Sequence, residues 1–396
     1  MLNFKPITRT VWILSLVSMF ADVASEMLYP VIPVYLRGIG FSVFLIGLLE
    51  GVAEATAGLS KGYFGNWSDQ LGRRMPFVRM GYFLSALSKP LMVVFTIPAW
   101  VFFSRTTDRI GKGLRTASRD ALLSDEATPA TKGAVFSFHR GLDTFGAVIG
   151  PLLALGFLYL FPGKITLLFL IAFIPGMIAV GLTFWIKEKS AYQKKRKSLP
   201  NILAFLKYWK TASPDYRKLL IPLLIFALFN SSDMLLLLKV KESTGSDQTA
   251  IMVYIFYNLI YALLSYPIGL IADRLNMKYV FVFGLLLYAI TYFGMAGEWS
   301  DAGFYILFGI YGIYMASTEG ISKAWISNLA RNKDTGTAIG LYVSLQSISL
   351  MIASTLAGLV WSVFGAAAAF VMTGTISVFV LLFMIIFVNK PAKVQL

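Results

Sequence analysis

The chain has 396 residues, 57% of them hydrophobic and 15% aromatic but only 14% charged, and it carries a formal net charge of +15. An ordinary soluble domain, with about 25% charged residues, is excluded, and so is disorder, because this much apolar surface does not stay in water. With no cysteine, disulfides and thiolate metal sites are impossible, and the redox compartment is not legible.

Apolar runs of about 20 residues recur along the whole length, as in membrane-spanning helices and unlike the short alternating segments of a membrane β-barrel. The amino end is short and basic (Lys5, Arg9) and passes into a full-length apolar run with no small-residue cleavage site, so no removable signal peptide is expected. Reading apolar runs between polar breaks predicts about twelve spans. They cover roughly 10–36, 41–64, 75–97, 99–124, 133–161 and 165–186, then 218–240, 248–271, 277–297, 302–325, 336–361 and 366–389. The expected organisation is an N-terminal six-helix bundle over 1–186, a cytoplasmic linker over 187–217 and a C-terminal six-helix bundle over 218–396. The linker holds the run Lys194, Lys195, Arg196, Lys197. Its piece Leu199–Trp209 has helical apolar spacing, which fits either a short helix on the membrane surface or a solvated connector.

Loop charge sets the orientation. With the amino end in the cytoplasm, the inner loops hold Arg73, Arg74, Arg79, the linker run, Arg274, Lys278, Arg331, Lys333, Lys390 and Lys393. The other side keeps only Arg37, Lys164, Lys239 and Lys241. Both termini are therefore expected in the cytoplasm of a multi-pass protein of the cell (inner) membrane. The basic excess reflects topology, and nucleic acid is not an expected partner.

The halves repeat each other. Gly65-x-x-x-Asp69-Gln70-x-Gly72-Arg73-Arg74 joins spans two and three, and Gly269-x-x-x-Asp273-Arg274-x-Asn276-x-Lys278 joins spans eight and nine. Ser25-Glu26-Met27-Leu28 in span one is echoed by Ser232-Asp233-Met234-Leu235 in span seven. A parallel six-plus-six duplication of this kind is a transporter architecture with its substrate site between the halves. The Gly65–Arg74 motif, at the inner end of span two, resembles the signature loop of the major facilitator superfamily (MFS), and the resemblance covers essentially the whole chain. Gln70 departs from it where the family usually has a basic residue, as do Asn276 and Met277 in the degenerate second copy. The resemblance implies two pseudo-symmetric bundles and a conformational latch at this loop, carried here by Gly65, Asp69, Gly72, Arg73 and Arg74 and, in the second copy, by Asp273 and Arg274. Topology-setting charge alone is the other reading of these residues.

Charge inside the first half is the most informative feature, because an ionisable side chain at the bilayer centre costs about 2.5–3.5 kcal/mol on insertion scales. Asp22 and Glu26 share a face of span one, as do Glu50 and Glu54 in span two. In span four, Arg105, Asp108, Arg109, Lys112, Arg115, Thr116 and Arg119 fall within a stripe of about 120°. At 1.5 Å per residue, Asp22 lies about 18 Å from the inner surface, and Glu50 and Arg109 about 14–15 Å from the outer one. All three clusters thus meet near midplane. Proton-coupling candidates are Asp22, Glu26, Glu50, Glu54, Arg105 and Asp108, with Arg105 or Arg109 expected as the partner of Asp22 and Glu26. A fixed salt-bridge network is the structural alternative.

Arg105 takes the arginine place of the family's fourth-span motif, with Asp108 and Arg109 where Gln and Gly are frequent; in the proton-coupled branch that arginine is linked to proton handling. In span five, Gly141, Asp143, Gly146, Gly150 and Pro151 are similar to the fifth-span motif of the antiporter branch, although Ala154 and Leu155 stand where glycines often follow. The resemblance implies export by antiport; the bland reading is small-residue packing. His139, the only histidine, is spaced to pair with Asp143 and is expected to be structural. A metal site is not expected, for want of a second soft ligand.

The second half is plainer. Asp233 follows Asn230, Ser231 and Ser232; Glu319 and Lys323 are spaced as a paired gate; Tyr254, Tyr257, Asn258 and Tyr261 share a stripe that forms helix contacts or meets substrate. Substrate-binding candidates are Arg109, Lys112, Asp233, Asn230, Tyr254, Tyr257 and Asn258. No Gly-x-x-x-x-Gly-Lys-Ser/Thr run is present, and nothing points to catalysis. The leading expectation is a monomeric secondary transporter without a cofactor, driven by the proton gradient and exporting a small organic compound. Its partners are that substrate, protons and membrane lipids. Uptake or exchange of an anionic metabolite, a lipid flippase and, more weakly, metal-ion export are the alternatives.

Overall fold

The computed structural model describes residues 6–29, 31–41, 43–188, 201, 203–231 and 233–388. The linker run Lys194–Lys197 and the start of the Leu199–Trp209 piece lie outside them, as does the side chain of Glu50.

In the first half the helices are α1 (Arg9–Glu26), α2 (Ile32–Gly38), α3 (Val43–Leu71), α4 (Met75–Leu91), α5 (Pro98–Asp125), α6 (Lys132–Leu160) and α7 (Ile165–Thr183). Then come a 3₁₀ turn (Ala204–Lys207) and the short α8 (Tyr208–Thr211). The second half has α9 (Pro214–Ala227), α10 (Asp233–Thr244), α11 (Asp247–Leu275), α12 (Met277–Met295), α13 (Asp301–Leu329), α14 (Thr335–Phe364) and α15 (Ala366–Phe387). These make twelve spans in two six-helix bundles, with two of the spans broken.

The breaks correct the sequence expectation of continuous first and seventh spans. Span one is α1 and α2, parted just after Glu26; span seven is α9 and α10, parted just before Asp233. The acid of each repeat therefore sits at a helix end. Around the second break, Asn230 and Ser231 have side chains that compete for backbone hydrogen bonds and so favour non-helical backbone. Near the first, Pro33 occupies the opening turn of α2, where a missing N–H costs nothing.

Among the described residues, six helices are long and apolar enough to cross a membrane by length and composition alone, α6, α7, α12 and α15 being four of them. α5, although 28 residues long, is held out by the charges it carries. The outer faces of α7 and α15 expose Ile174, Ile178, Phe379, Leu382 and Ile386, an apolar belt that water would not tolerate and lipid would cover.

The first and last described helices, α1 and α15, begin and end, respectively, on one face. There Thr8 donates to Glu126 (2.8 Å), the Arg74 N–H to Glu188 (2.6 Å), and Lys278 to the carbonyls of Ile385 (2.8 Å) and Val388 (2.7 Å). We call this the basic face, since it also bears Arg73, Arg274 and Arg331. At the other face Lys239 pairs with Glu298 (2.5 Å), and that bond holds the exposed Glu298 carboxyl below its ordinary range. The described part of the linker docks on protein rather than lying wholly on lipid. Phe205 is buried against Gly62 of α3, while Leu203, Leu206 and Trp209 stay exposed.

The two bundles meet along two pseudo-equivalent seams, α3 against α14 and α6 against α11. Glycines allow the approach. A Cβ on Gly65 would lie 2.5 Å from the carbonyl oxygen of Gly336, and one on Gly269 would lie 2.6 Å from that of Gly133.

Candidate functional site

At the basic face, each motif carboxylate caps a helix of the opposite half. Asp69, at the end of α3, accepts from the Thr337 N–H (2.6 Å) and hydroxyl (2.9 Å) in the first turn of α14. Asp273, at the end of α11, accepts from the N–H groups of Gly133 (2.8 Å) and Ala134 (2.7 Å) in the first turn of α6. A carboxylate there satisfies orphan donors and meets the positive end of the helix dipole. Arg74 backs Asp69 (3.3 Å), also pairs with Asp125, and reaches across the seam to the Asn332 carbonyl (3.3 Å). Gly72 adopts φ +64°, a left-handed turn that suits glycine. Two expected latch members are not in this lattice. Arg73 and Arg274 are exposed, and among the described residues no hydrogen bond or ion pair engages either. Arg73 follows the end of α3 and Arg274 lies in the last turn of α11, and both are open to water. In the second copy Lys278 turns instead to the carboxyl end of α15.

Deeper in, charged residues of α1, α3, α5 and α6 form the wall that faces the second half. Their partners differ from the sequence expectation. Arg105 pairs with Asp108 (3.6 Å), which also takes Lys89 of α4 (2.8 Å); Arg109 pairs with Glu54 (3.8 Å). The bonds described for Arg105 and Arg109 thus go elsewhere than to Asp22 and Glu26. Asp22 has no described hydrogen bond or ion pair. Glu26 accepts from Tyr254 of α11 across the seam (3.4 Å). The fifth-span glycines seat both acids: a Cβ on Gly146 or Gly150 would lie 2.9 Å from the Cβ of Asp22 or Glu26, respectively.

Toward the basic face, Asp120 is fully buried and binds Arg119 (2.8 Å) and, across the seam, Lys323 of α13 (2.9 Å). Lys323 therefore does not close a gate with Glu319, because the larger gain lies with a buried carboxylate on α5. Asp143 is held by Ser18 (2.5 Å) and Arg140 (2.5 Å), and Arg140 also donates to Tyr261 of α11 (2.7 Å). His139 does not pair with Asp143; it is buried, and among the described residues neither ring nitrogen has a hydrogen-bond partner. Lys61 of α3 donates to Ser347 of α14 (2.8 Å). Arg115 lies over the Tyr82 ring (4.3 Å).

In the second half, Asp233 accepts from Tyr257 (2.5 Å) and Tyr311 (2.6 Å), and Asn230 donates to Tyr314 (3.3 Å). Asn258 donates to the Tyr254 carbonyl (3.0 Å), one turn back on its own helix. The tyrosine stripe of α11 is thus turned onto the charged site: Tyr254 onto Glu26, Tyr257 onto Asp233 and Tyr261 onto Arg140.

Glu54 shows what kind of space the wall borders. It lies mid-span with Arg109, Lys112, Lys61 and Arg105 around it, so it faces the protein interior, yet 45% of its side chain is accessible. Its Oε2, the oxygen toward Arg109, is buried without a hydrogen bond among the described residues, so the accessible part is the rest of the side chain, and a mid-span carboxylate so ringed by cations marks a polar cavity. Beside it a narrow cleft enters the first bundle, lined by Ser25, Ser88, Lys89, Ser104, Arg105 and Asp108. The sequence reading passed over Lys61, Lys89, Asp120 and Arg140. Lys61 and Lys89 carried a signal, each being a lone lysine within an apolar run.

A family model for the Major Facilitator Superfamily matches residues 14–245 and 219–396. An uncharacterized MFS-type transporter of Methanocaldococcus jannaschii is 31% identical over 370 residues, covering 91% of this chain and 90% of that protein. Among solved structures, the human organic anion transporter MFSD10 superposes with a TM-score of 0.79 at 16% identity, covering 95% of this chain and 99% of that one. The MFS transporter FucP in its outward conformation gives 0.76 at 12% identity, covering 98% of this chain and all (100%) of that one.

Proposed function

Since the chain belongs to the Major Facilitator Superfamily, we propose that it is a proton-coupled secondary transporter of a small organic solute, with Asp22 and Glu26 as its proton-binding groups. The two bundles rock about the wet central site, so that it opens to one side and then the other. The loop charge supports a cytoplasmic position for the basic face. In the arrangement described here that face is closed, by the Asp69 and Asp273 caps and then by the Asp120–Lys323 pair. Rocking it open breaks the caps and draws α3 and α6 away from α14 and α11.

The observation that carries the coupling is the hydrogen bond from Tyr254 to Glu26, with Asp22 one turn away on the same face. A carboxylate held by a hydroxyl of the opposite half changes its surroundings when the halves move. Its hold on a proton changes with them, because neighbouring charge, burial and hydrogen bonding set that hold. No cofactor is needed for this cycle, and one chain encloses the site. Antiport draws no support from the fifth-span glycines, whose visible task is to seat α1.

Infrared difference spectra of the reconstituted protein between about pH 5 and about pH 8, the range that brackets perturbed carboxyls, test the assignment without a substrate. The wild type is expected to show a titrating carboxylic-acid band that Asp22→Asn and Glu26→Gln each diminish. A band of full size in both variants removes these residues from the coupling mechanism.

A further inference from the structure

Most cations on the central wall have a carboxylate within bonding distance. Lys89 and Arg105 share Asp108, Arg109 has Glu54, Arg119 and Lys323 share Asp120, and Arg140 has Asp143. Arg115 has the Tyr82 ring. Lys61 and Lys112 differ. Lys61 is half-buried on α3, and its described bond goes to a neutral hydroxyl, that of Ser347 in the other half. Lys112 is half-buried on α5; its carbonyl accepts from Thr116 (2.6 Å), but among the described residues neither a hydrogen bond nor an ion pair engages its ammonium. The two helices are in close contact here, since a Cβ on Gly113 would lie 2.1 Å from that of Ser60. Each ammonium has donors to spare, and the carboxylates that stand around them, Glu54, Asp22 and Glu26, have no described bond to either.

We infer that Lys61 and Lys112 form an anion-binding subsite, so that the transported solute carries a carboxylate or phosphate group. This inference rests on the transporter reading above and names its substrate class.

An anion bridging the two ammonium groups gains charge-assisted hydrogen bonds. It also takes Lys61 from Ser347, and so loosens a tie between the halves that exists only in the unoccupied site. Occupancy is thereby linked to rocking. The charged groups around Lys112 are Arg109 and Arg115 on its own helix, Glu54 and Lys61 on α3, and Asp22 and Glu26 on α1. Around Lys61 stand Glu54, Arg109, Lys112 and Lys323. Asp22 in turn faces Glu26, Asp143, Arg140 and Lys112. A proton on Asp22 or Glu26 removes a negative charge that competes with the incoming anion. Proton and anion therefore bind together and move in the same direction, in contrast to the antiport that the sequence resemblance implies.

Calorimetric titration of the full chain in lipid nanodiscs tests this with three probes: benzoate, inorganic phosphate and tetraphenylphosphonium. At least one of the two anions is expected to bind, more tightly at low pH, and the cation is not. Lys61→Gln and Lys112→Gln are each expected to weaken anion binding about tenfold or more, the scale of a lost charge-assisted bond. Lys112→Arg should retain it. Asp22→Asn should strengthen anion binding at high pH and flatten its pH dependence, which a merely structural lysine pair would not produce. Binding of benzoate alone assigns a carboxylate, and of phosphate alone a phosphate or its ester. Binding of neither anion, binding of the cation alone, or wild-type anion affinity in Lys112→Gln overturns the subsite. Those results leave the infrared band of Asp22 and Glu26 untouched, so failure here and failure of the proton assignment are told apart.

Discussion

Asp69→Ala is expected to open the basic face. The Asp69 side chain is 4% exposed and takes three bonds, two from Thr337 and one from Arg74. Its loss uncaps α14, at a cost of about 0.5–2 kcal/mol. It also strips one buried partner from Arg74, and breaking a buried pair costs about 3–5 kcal/mol. The cap bonds cross the seam and weigh on the closed arrangement, whereas the Asp69–Arg74 pair lies within the first bundle, where Arg74 keeps Asp125, so its loss falls on that bundle. Loss of the cap alone shifts the two-state population by roughly two- to thirtyfold. Because the chain has no cysteine, Ser137→Cys can report on the opening without background. Ser137 is buried on α6, where it packs against Gly269 of α11 and Gly320 of α13. Maleimide labelling at that position should quicken severalfold, by roughly two- to thirtyfold, in Asp69→Ala. An unchanged rate would mean that the caps do not hold the face shut.

Asp120→Ala should be the most destabilising of the single replacements considered. The Asp120 side chain is 1% exposed and is the shared anion of Arg119 and Lys323. Its removal leaves the buried Arg119 and the half-buried Lys323 without their shared anion, with a loss of about 3–5 kcal/mol. Lys323→Met removes only one of those cations. In the Asp120→Ala background it should therefore recover part of the loss, whereas in the wild type it should cost stability. The double-mutant cycle should give a coupling of about 0.5–3 kcal/mol, the range for residues in direct contact. SDS-induced unfolding in mixed micelles measures it. If Lys323→Met costs the same in both backgrounds, the pair across the seam contributes nothing to stability.

Elements and partners were legible in the sequence to different degrees. The two motif copies at Asp69 and Asp273 are visible because both carboxylates recur at one spacing half a chain apart. Their partners are not visible, because the acceptors are met mainly by backbone N–H groups of Thr337, Gly133 and Ala134, and any residue type supplies those. The stripe on α5 is visible from the helical period. Which carboxylate each cation takes depends on helix rotation and on Lys89 and Asp120, whose helices no local rule brings together. That is why Arg105 and Arg109 are found with Asp108 and Glu54, and Lys323 with Asp120 rather than Glu319. The breaks after Glu26 and before Asp233 were hidden because each lies inside an apolar run long enough to read as one helix. The echo of Ser25-Glu26 in Ser232-Asp233 marks both places.

Reciprocal motion of the two faces is the claim on which the rest depends. It is measured most directly by electron–electron distances between spin labels on introduced cysteine pairs. One pair, at Leu71 and Lys333, spans the halves at the basic face; the other, at Tyr159 and Trp299, spans them at the opposite face. As the pH falls from about 8 to about 5 across the carboxyl range, with benzoate or phosphate present, the first distance should lengthen while the second shortens. Asp22→Asn should remove the pH dependence of that exchange. Distances that stay fixed, or that change in the same sense at both faces, would contradict it.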